Sequence, residues 1–117
     1  MSAAKRNIKI EKGATFQMNL TWKDGEGVPV NLTGYTARMQ VRKNVNATDT
    51  LLNMTTENGS IALGGALGTI SITGSATNTS AIPDTIKTGV YDLELVNGSV
   101  VKRLIEGNVE ISPEVTK

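Results

Sequence analysis

Asp92 and Glu94 stand two residues apart in "YDLEL", so in an extended strand both carboxylates point to one face. A carboxylate pair is what acid/base hydrolysis of a glycosidic bond uses. The plainer account is the solvated face of an alternating strand, with Arg103 or Lys102 as cross-strand partners, and it is the preferred one. The chain has no histidine and no cysteine. That excludes Ser-His-Asp and Cys-His nucleophiles and every nitrogen or sulfur metal ligand. Asp24 and Glu26 flank Gly25, but the spacing lacks the EF-hand pattern and its distal glutamate. "GGALGTI" has no Lys-Ser/Thr after its glycines and reads as a hairpin bend rather than a phosphate loop. No catalytic residue, cofactor or metal site is therefore expected.

Basic residues gather at Lys5, Arg6, Lys9 and Lys12, and again at Arg38, Arg42 and Lys43. Nucleic-acid binding would interleave such charges with stacking aromatics. The chain has only one Trp, two Tyr and one Phe, and Trp22, Phe16 and Tyr35 fall on core-facing positions. A mobile basic arm and a solvated face explain the cations better. Asn-x-Ser/Thr triplets, at Asn19 and Asn31 for example, read as by-products of an Asn- and Thr-rich composition. With Lys+Arg 12 against Asp+Glu 11, the net charge of +1 provides no global field toward nucleic acid or an anionic membrane.

The elements that must position these residues are strands. Thr, Asn, Gly, Val and Ile are abundant, and no segment shows a sustained 3.6-residue apolar period. "TFQMNLTW" sends Phe16, Met18, Leu20 and Trp22 one way and Thr15, Gln17, Asn19 and Thr21 the other. Before it, Ile8 and Ile10 alternate with Asn7 and Lys9. "KDGEG" supplies a turn. From Tyr35 onward, Tyr35, Ala37, Met39 and Val41 form an inner face while Arg38, Gln40 and Arg42 line an outer, cationic one. Leu51, Leu52 and Met54 indicate a short strand ended by Asn58-Gly59, and "SIALGGALGTISIT" a hairpin that sets Ile61 and Leu63 against Ile70 and Ile72. A helical turn is expected near residues 76–81. "GVYDLELVNGSVVKRLIEG" is a second hairpin around Asn97-Gly98. A two-residue loop sets Asp92 opposite Arg103. A three-residue loop sets Glu94 opposite Lys102, Tyr91 opposite Ile105 and Leu95 opposite Val101; it is preferred because Val101, Ile105, Val109 and Ile111 then share a face.

The 117 residues read as one domain over 1–117, with a basic N-terminal arm over about 1–6 and a tail over about 113–117. Seven to nine short strands make an all-β, immunoglobulin-like antiparallel β-sandwich the leading architecture, with a small β-barrel as the alternative. No apolar run approaches the roughly 20 residues of a membrane span, and the start lacks the apolar region of a secretion signal, so a soluble cytoplasmic product is expected.

"ATFQMNLTWKDGEG" followed by "GVPVNLTGYTARMQVRK", and the closing "GVYDLEL" and "VKRLIEGNVEISPEVT", resemble the N-terminal β-sandwich domain of phage upper-baseplate proteins and the small β-rich virion proteins of tailed phages. The resemblance runs from about Gly13 to Lys117. It implies a non-enzymatic virion protein, made in the host cytoplasm, placed in the tail, baseplate or tail-attachment region and acting through assembly with other virion proteins, as a homo-oligomer in the particle. Arg38, Gln40 and Arg42 would then meet an acidic partner surface, and the arm carrying Lys5 and Arg6 would reach across an interface. Capsid decoration and a carbohydrate-binding attachment module are the alternatives.

Overall fold

The computed structural model describes residues 3–116; Met1, Ser2 and Lys117 lie outside them. Alternation fixes the strands. β1 (Ala4–Lys5) and β2 (Ile8–Glu11) precede β3 (Phe16–Thr21), which buries Phe16 and Met18 and exposes Gln17, Asn19 and Thr21. β4 (Thr36–Arg42) buries Ala37, Met39 and Val41. β5 (Leu52–Thr55), β6 (Ile61–Leu63) and β7 (Thr69–Gly74) follow, then one helical turn, α1 (Ala76–Ser80), where the sequence places it. β8 (Thr88–Asn97) and β9 (Val100–Ser112) close the fold, and Pro113 stands just past the last strand.

Two separate sheets result, so the architecture is a sandwich rather than a closed barrel. The larger runs β1-β9-β8-β4-β5, with β2 also on β9; the smaller runs β3-β7-β6. Between them lies a core that includes Ile10, Leu32, Met39, Ile70, Ile72, Leu93 and Leu95, each 2% exposed or less. At roughly 1.5–3 kcal/mol for each fully buried large aliphatic side chain, this layer is the main force holding the sheets together. The β6–β7 hairpin pairs Ile61 with Ile72 and Leu63 with Ile70 as expected. Its bend is a 3-10 turn (Gly65–Leu67) that ends at Gly68, with φ of 68° and so little space that a Cβ would sit 2.8 Å from the Trp22 carbonyl oxygen. Glycine is required there on both counts.

α1 serves as a clamp. Ser75 caps it by accepting from the Asn78 amide. The buried Thr79 hydroxyl accepts from the Gly13 amide at 3.1 Å and donates to the Ala14 carbonyl at 2.9 Å, which satisfies the turn between β2 and β3. Beside it the buried Lys12 pairs with Asp84.

Two expectations are corrected. The basic arm expected over 1–6 is, from Ala4, part of the sheet: β1 lies parallel to β9, with Ala4 beside Ile105 and Lys5 beside Glu106. The Arg6 amide donates to the Glu106 carbonyl at 3.0 Å, and the Tyr91 hydroxyl donates to the Arg6 carbonyl at 2.7 Å. Parallel pairing with a strand about a hundred residues away leaves no local sequence signal. Second, neither expected register of the long hairpin holds. Asn97 pairs with Val100, which makes Gly98-Ser99 the loop, and Glu94 faces Arg103. An extra residue at Leu104 then shifts the ladder, so that Leu93 faces Ile105 and Tyr91 faces Gly107. A bulge of one residue exchanges the faces of everything beyond it. Ile105, Val109 and Ile111 are buried as expected, whereas Val101 is 48% exposed.

Candidate interaction surface

The outer face of the larger sheet gathers Lys5, Arg38, Arg42, Asp92, Glu94 and Arg103 from the charged residues picked out in the sequence. Register arranges them in rows across the strands. Arg38 on β4 faces Glu94 on β8, which faces Arg103 on β9. One row along, Gln40 faces Asp92, Asp92 faces Glu106, and Glu106 faces Lys5 on β1. The side chains bind along and across these rows. Arg38 Nε lies 2.8 Å from Glu94 Oε1, Arg103 Nε lies 3.4 Å from Asp92 Oδ2, and Arg103 Nη1 lies 3.2 Å from Glu106 Oε1. Lys5 completes the row by pairing with Glu106. Arg42 donates through Nη1 to the Ala47 carbonyl and through Nη2 to Gln40 Oε1, each at 2.8 Å, and Gln40 donates to Asn53 Oδ1 at 3.3 Å. A shallow depression of about 460 Å³ opens among Lys5, Gln40, Arg42, Asp92, Arg103 and Glu106.

Electrostatics divides the two facing acids. Hydrogen bonds from Lys5 and then Arg103 hold the Glu106 carboxyl below its ordinary range. Asp92 moves the other way: partial burial raises it, its neighbour Glu94 adds to the rise, and Arg103 opposes it. Hydrogen bonding to the ionised form governs Glu106, and desolvation governs Asp92. Each carboxylate of the row is engaged by an arginine or a lysine. The arrangement is a mutually neutralised polar ladder, with Asp92 and Glu94 each held to an arginine.

Lys5, Arg38, Gln40 and Arg42 thus come together on one face. Arg6 does not join them, because it lines a groove beside Trp22 at the side of the sandwich. The sequence reading missed Glu106 as a member of the face. The bulge at Leu104 hides its direction, and β1 supplies its partner from the other end of the chain. Asp24 proves to be a turn residue: its Oδ1 accepts from the Glu26 and Val28 amides at 2.9 and 3.0 Å. Among the described residues, no group of three or more His, Cys, Asp or Glu is placed to hold a metal ion, and no helix is long and apolar enough to cross a membrane.

No family model matches the chain, and no curated protein matches it. Among solved structures, a crystal structure of a chicken TCR is similar to it, with a TM-score of 0.52 and 7% identity, covering 94% of this chain and 54% of that one. The chain spans about half the length of that structure. At such low identity the likeness shows the fold alone. The fold is an immunoglobulin-like sandwich: β9-β8-β4-β5 follow the G-F-C-C′ order of a variable-type sheet and β3-β7-β6 form the facing B-E-D sheet. On β3 and β8, the strands that carry the inter-sheet disulfide in antibody domains, Met18 and Leu93 are buried.

Proposed function

We propose that this protein is a non-enzymatic structural component of a tailed-phage particle, in its tail or baseplate region, working by protein–protein assembly through the outer face of the larger sheet. The observation that carries the assembly reading is the ordered charge ladder. Side chains already held by ion pairs and amide bonds lose little freedom when a complementary surface docks, which lowers the cost of association. Charge of both signs in fixed rows also selects for register in the partner. The sequence resemblance to upper-baseplate and small virion proteins supplies the setting. Lys5, Arg38, Gln40 and Arg42 are the residues assigned to the contact, with an acidic or mixed-charge virion surface as partner.

Quantitative mass spectrometry of purified particles, scaled to the major capsid protein, tests this. The expected result is a copy number from a few up to roughly a few dozen, as the symmetry of a tail or baseplate dictates. Copies on the order of hundreds would move the protein to the capsid exterior as decoration. Particles without it would overturn the virion assignment.

A further inference from the structure

Among the described residues the sandwich leaves four sheet edges, and they are not equivalent. β5 and β6 have four and three residues. The β1–β2 edge is broken at Arg6-Asn7 and carries Lys5 and Lys9. β3 is different: its six residues include no charge and no proline, and among the described residues it pairs with β7 alone. The usual devices that blunt a strand edge are missing.

The phase of the ladder identifies its open groups. The Trp22 amide donates to the Gly68 carbonyl at 2.8 Å, in register with the pairs Phe16–Gly74, Met18–Ile72 and Leu20–Ile70. Even-numbered residues therefore exchange their hydrogen bonds with β7. The backbone groups of Gln17, Asn19 and Thr21 point away from the sheet, and all three residues are exposed. Beside the edge lies a shallow groove of about 510 Å³ lined by Ala4, Arg6, Leu20, Trp22, Lys23 and Leu104. Charge is distributed unevenly along the strand. Arg6 and Lys23 stand at the Trp22 end. At the Phe16 end are the exposed Glu11 and the Glu114 carboxylate, which lies 2.0 Å from where a Cβ on Gly13 would stand.

We infer that β3 pairs antiparallel with β3 of a second copy of this chain, about a two-fold axis through Asn19, which joins the two smaller sheets edge to edge. The strand is self-complementary in that arrangement. Asn19 meets its own counterpart, Gln17 faces Thr21 of the second copy, and the three pairs exchange about six backbone hydrogen bonds. Lys23 falls opposite Thr15 of the second copy, next to the acidic end, and the two-fold axis repeats this contact. Parallel pairing would set like charge beside like. A second copy thus satisfies the backbone and the charge pattern together.

The test is sedimentation of the full chain over roughly 5–500 µM, the range suited to an interface at the small end of the size scale. The wild type should pass from monomer to dimer. Asn19→Lys, which sets two ammonium groups against each other on the axis, should weaken dimerisation several-fold, up to about fivefold, while Asn53→Lys on β5 should leave it unchanged. A wild type monomeric throughout, an Asn19→Lys dimer of undiminished affinity, or equal disruption by Asn53→Lys would each overturn the pairing. Hydrogen exchange on the wild type needs no variant to fold: the Gln17, Asn19 and Thr21 amides should exchange more slowly at high concentration, and exchange independent of concentration would also refute it. The pairing does not depend on the virion assignment, so a monomer leaves that assignment standing and absence from particles leaves the dimer standing.

Discussion

At the scale of single residues, Asp92 and Glu106 show how one row of a sheet gives two carboxylates opposite stability signs. Glu106 titrates below its ordinary value because Lys5 and Arg103 bind its ionised form. Its contribution is present above the unfolded-state value and is lost as pH falls through the lowered folded value. Asp92 titrates above its ordinary value because burial and Glu94 disfavour its ionised form. The fold therefore carries a penalty at neutral pH that disappears as acid protonates the group. Asp92→Asn should raise the urea midpoint at pH 7, and the gain should shrink toward about pH 3, below the ordinary carboxylate range. Should the variant be less stable at pH 7, the Arg103 ion pair outweighs the burial of Asp92. Glu106→Gln, measured in parallel, should move the midpoint the opposite way at pH 7.

At the scale of elements, the docking of β1 onto β9 is the feature least visible in the sequence, and Gly107 is its most exacting position. A Cβ on Gly107 would lie 2.1 Å from the Arg6 carbonyl oxygen, the atom that also accepts the Tyr91 hydroxyl. Beside it, the Asn7 side chain takes over a ladder bond by accepting from the Asn108 amide at 3.1 Å. Gly107→Ala must push the chain at Arg6 away from β9 and break the Tyr91 bond, a loss of about 2–4 kcal/mol when strain and an unmade hydrogen bond combine. Urea denaturation gives the magnitude; a change under about 0.5 kcal/mol would show that β1 gives way at little cost. In the sequence, "RLIEGN" offers only a glycine inside a strand, which marks a close approach without saying to what. The strands themselves were legible, because alternation in "TFQMNLTW" and "TARMQVR" needs only local pattern. The hairpin register was not. Asn97-Gly98 fits a two-residue loop, and the three-residue alternative kept more apolar residues together, but the bulge at Leu104 obeys neither rule. Of the proposed face, Arg38, Gln40 and Arg42 could be read from their spacing, whereas their internal partners depend on cross-strand neighbours that alternation cannot supply.

At the scale of the whole molecule, the two outer faces differ in kind. The strands of the smaller sheet send out Gln17, Asn19, Thr21, Thr69, Ser71 and Thr73, where amide and hydroxyl groups bond one another, as in Thr73 to Gln17 at 2.8 Å and Gln17 to Ser71 at 3.1 Å. The larger sheet carries the charge ladder along a body of 44 × 25 × 24 Å. Contacts made through these two faces should therefore respond differently to salt. Exposed ionic contacts weaken as the screening length falls from about 10 Å at 0.1 M to about 3 Å at 1 M, while neutral strand pairing changes less. On the virion reading, NaCl near 1 M should release the protein from particles while dimerisation through β3 persists. Combining Arg38→Gln with Arg42→Gln should lower incorporation into particles at about 0.1 M salt and weaken the remaining salt dependence. Arg38 contributes a half-exposed ion pair to Glu94, a type of contact that contributes about 1 kcal/mol or less. The half-buried Arg42 adds its two hydrogen bonds, so the doubly substituted protein should stay folded with a melting temperature lowered by about 4–12 °C. Full incorporation of that folded variant, with the salt response unchanged, would show that the ladder only braces the sheet and that another surface makes the contact.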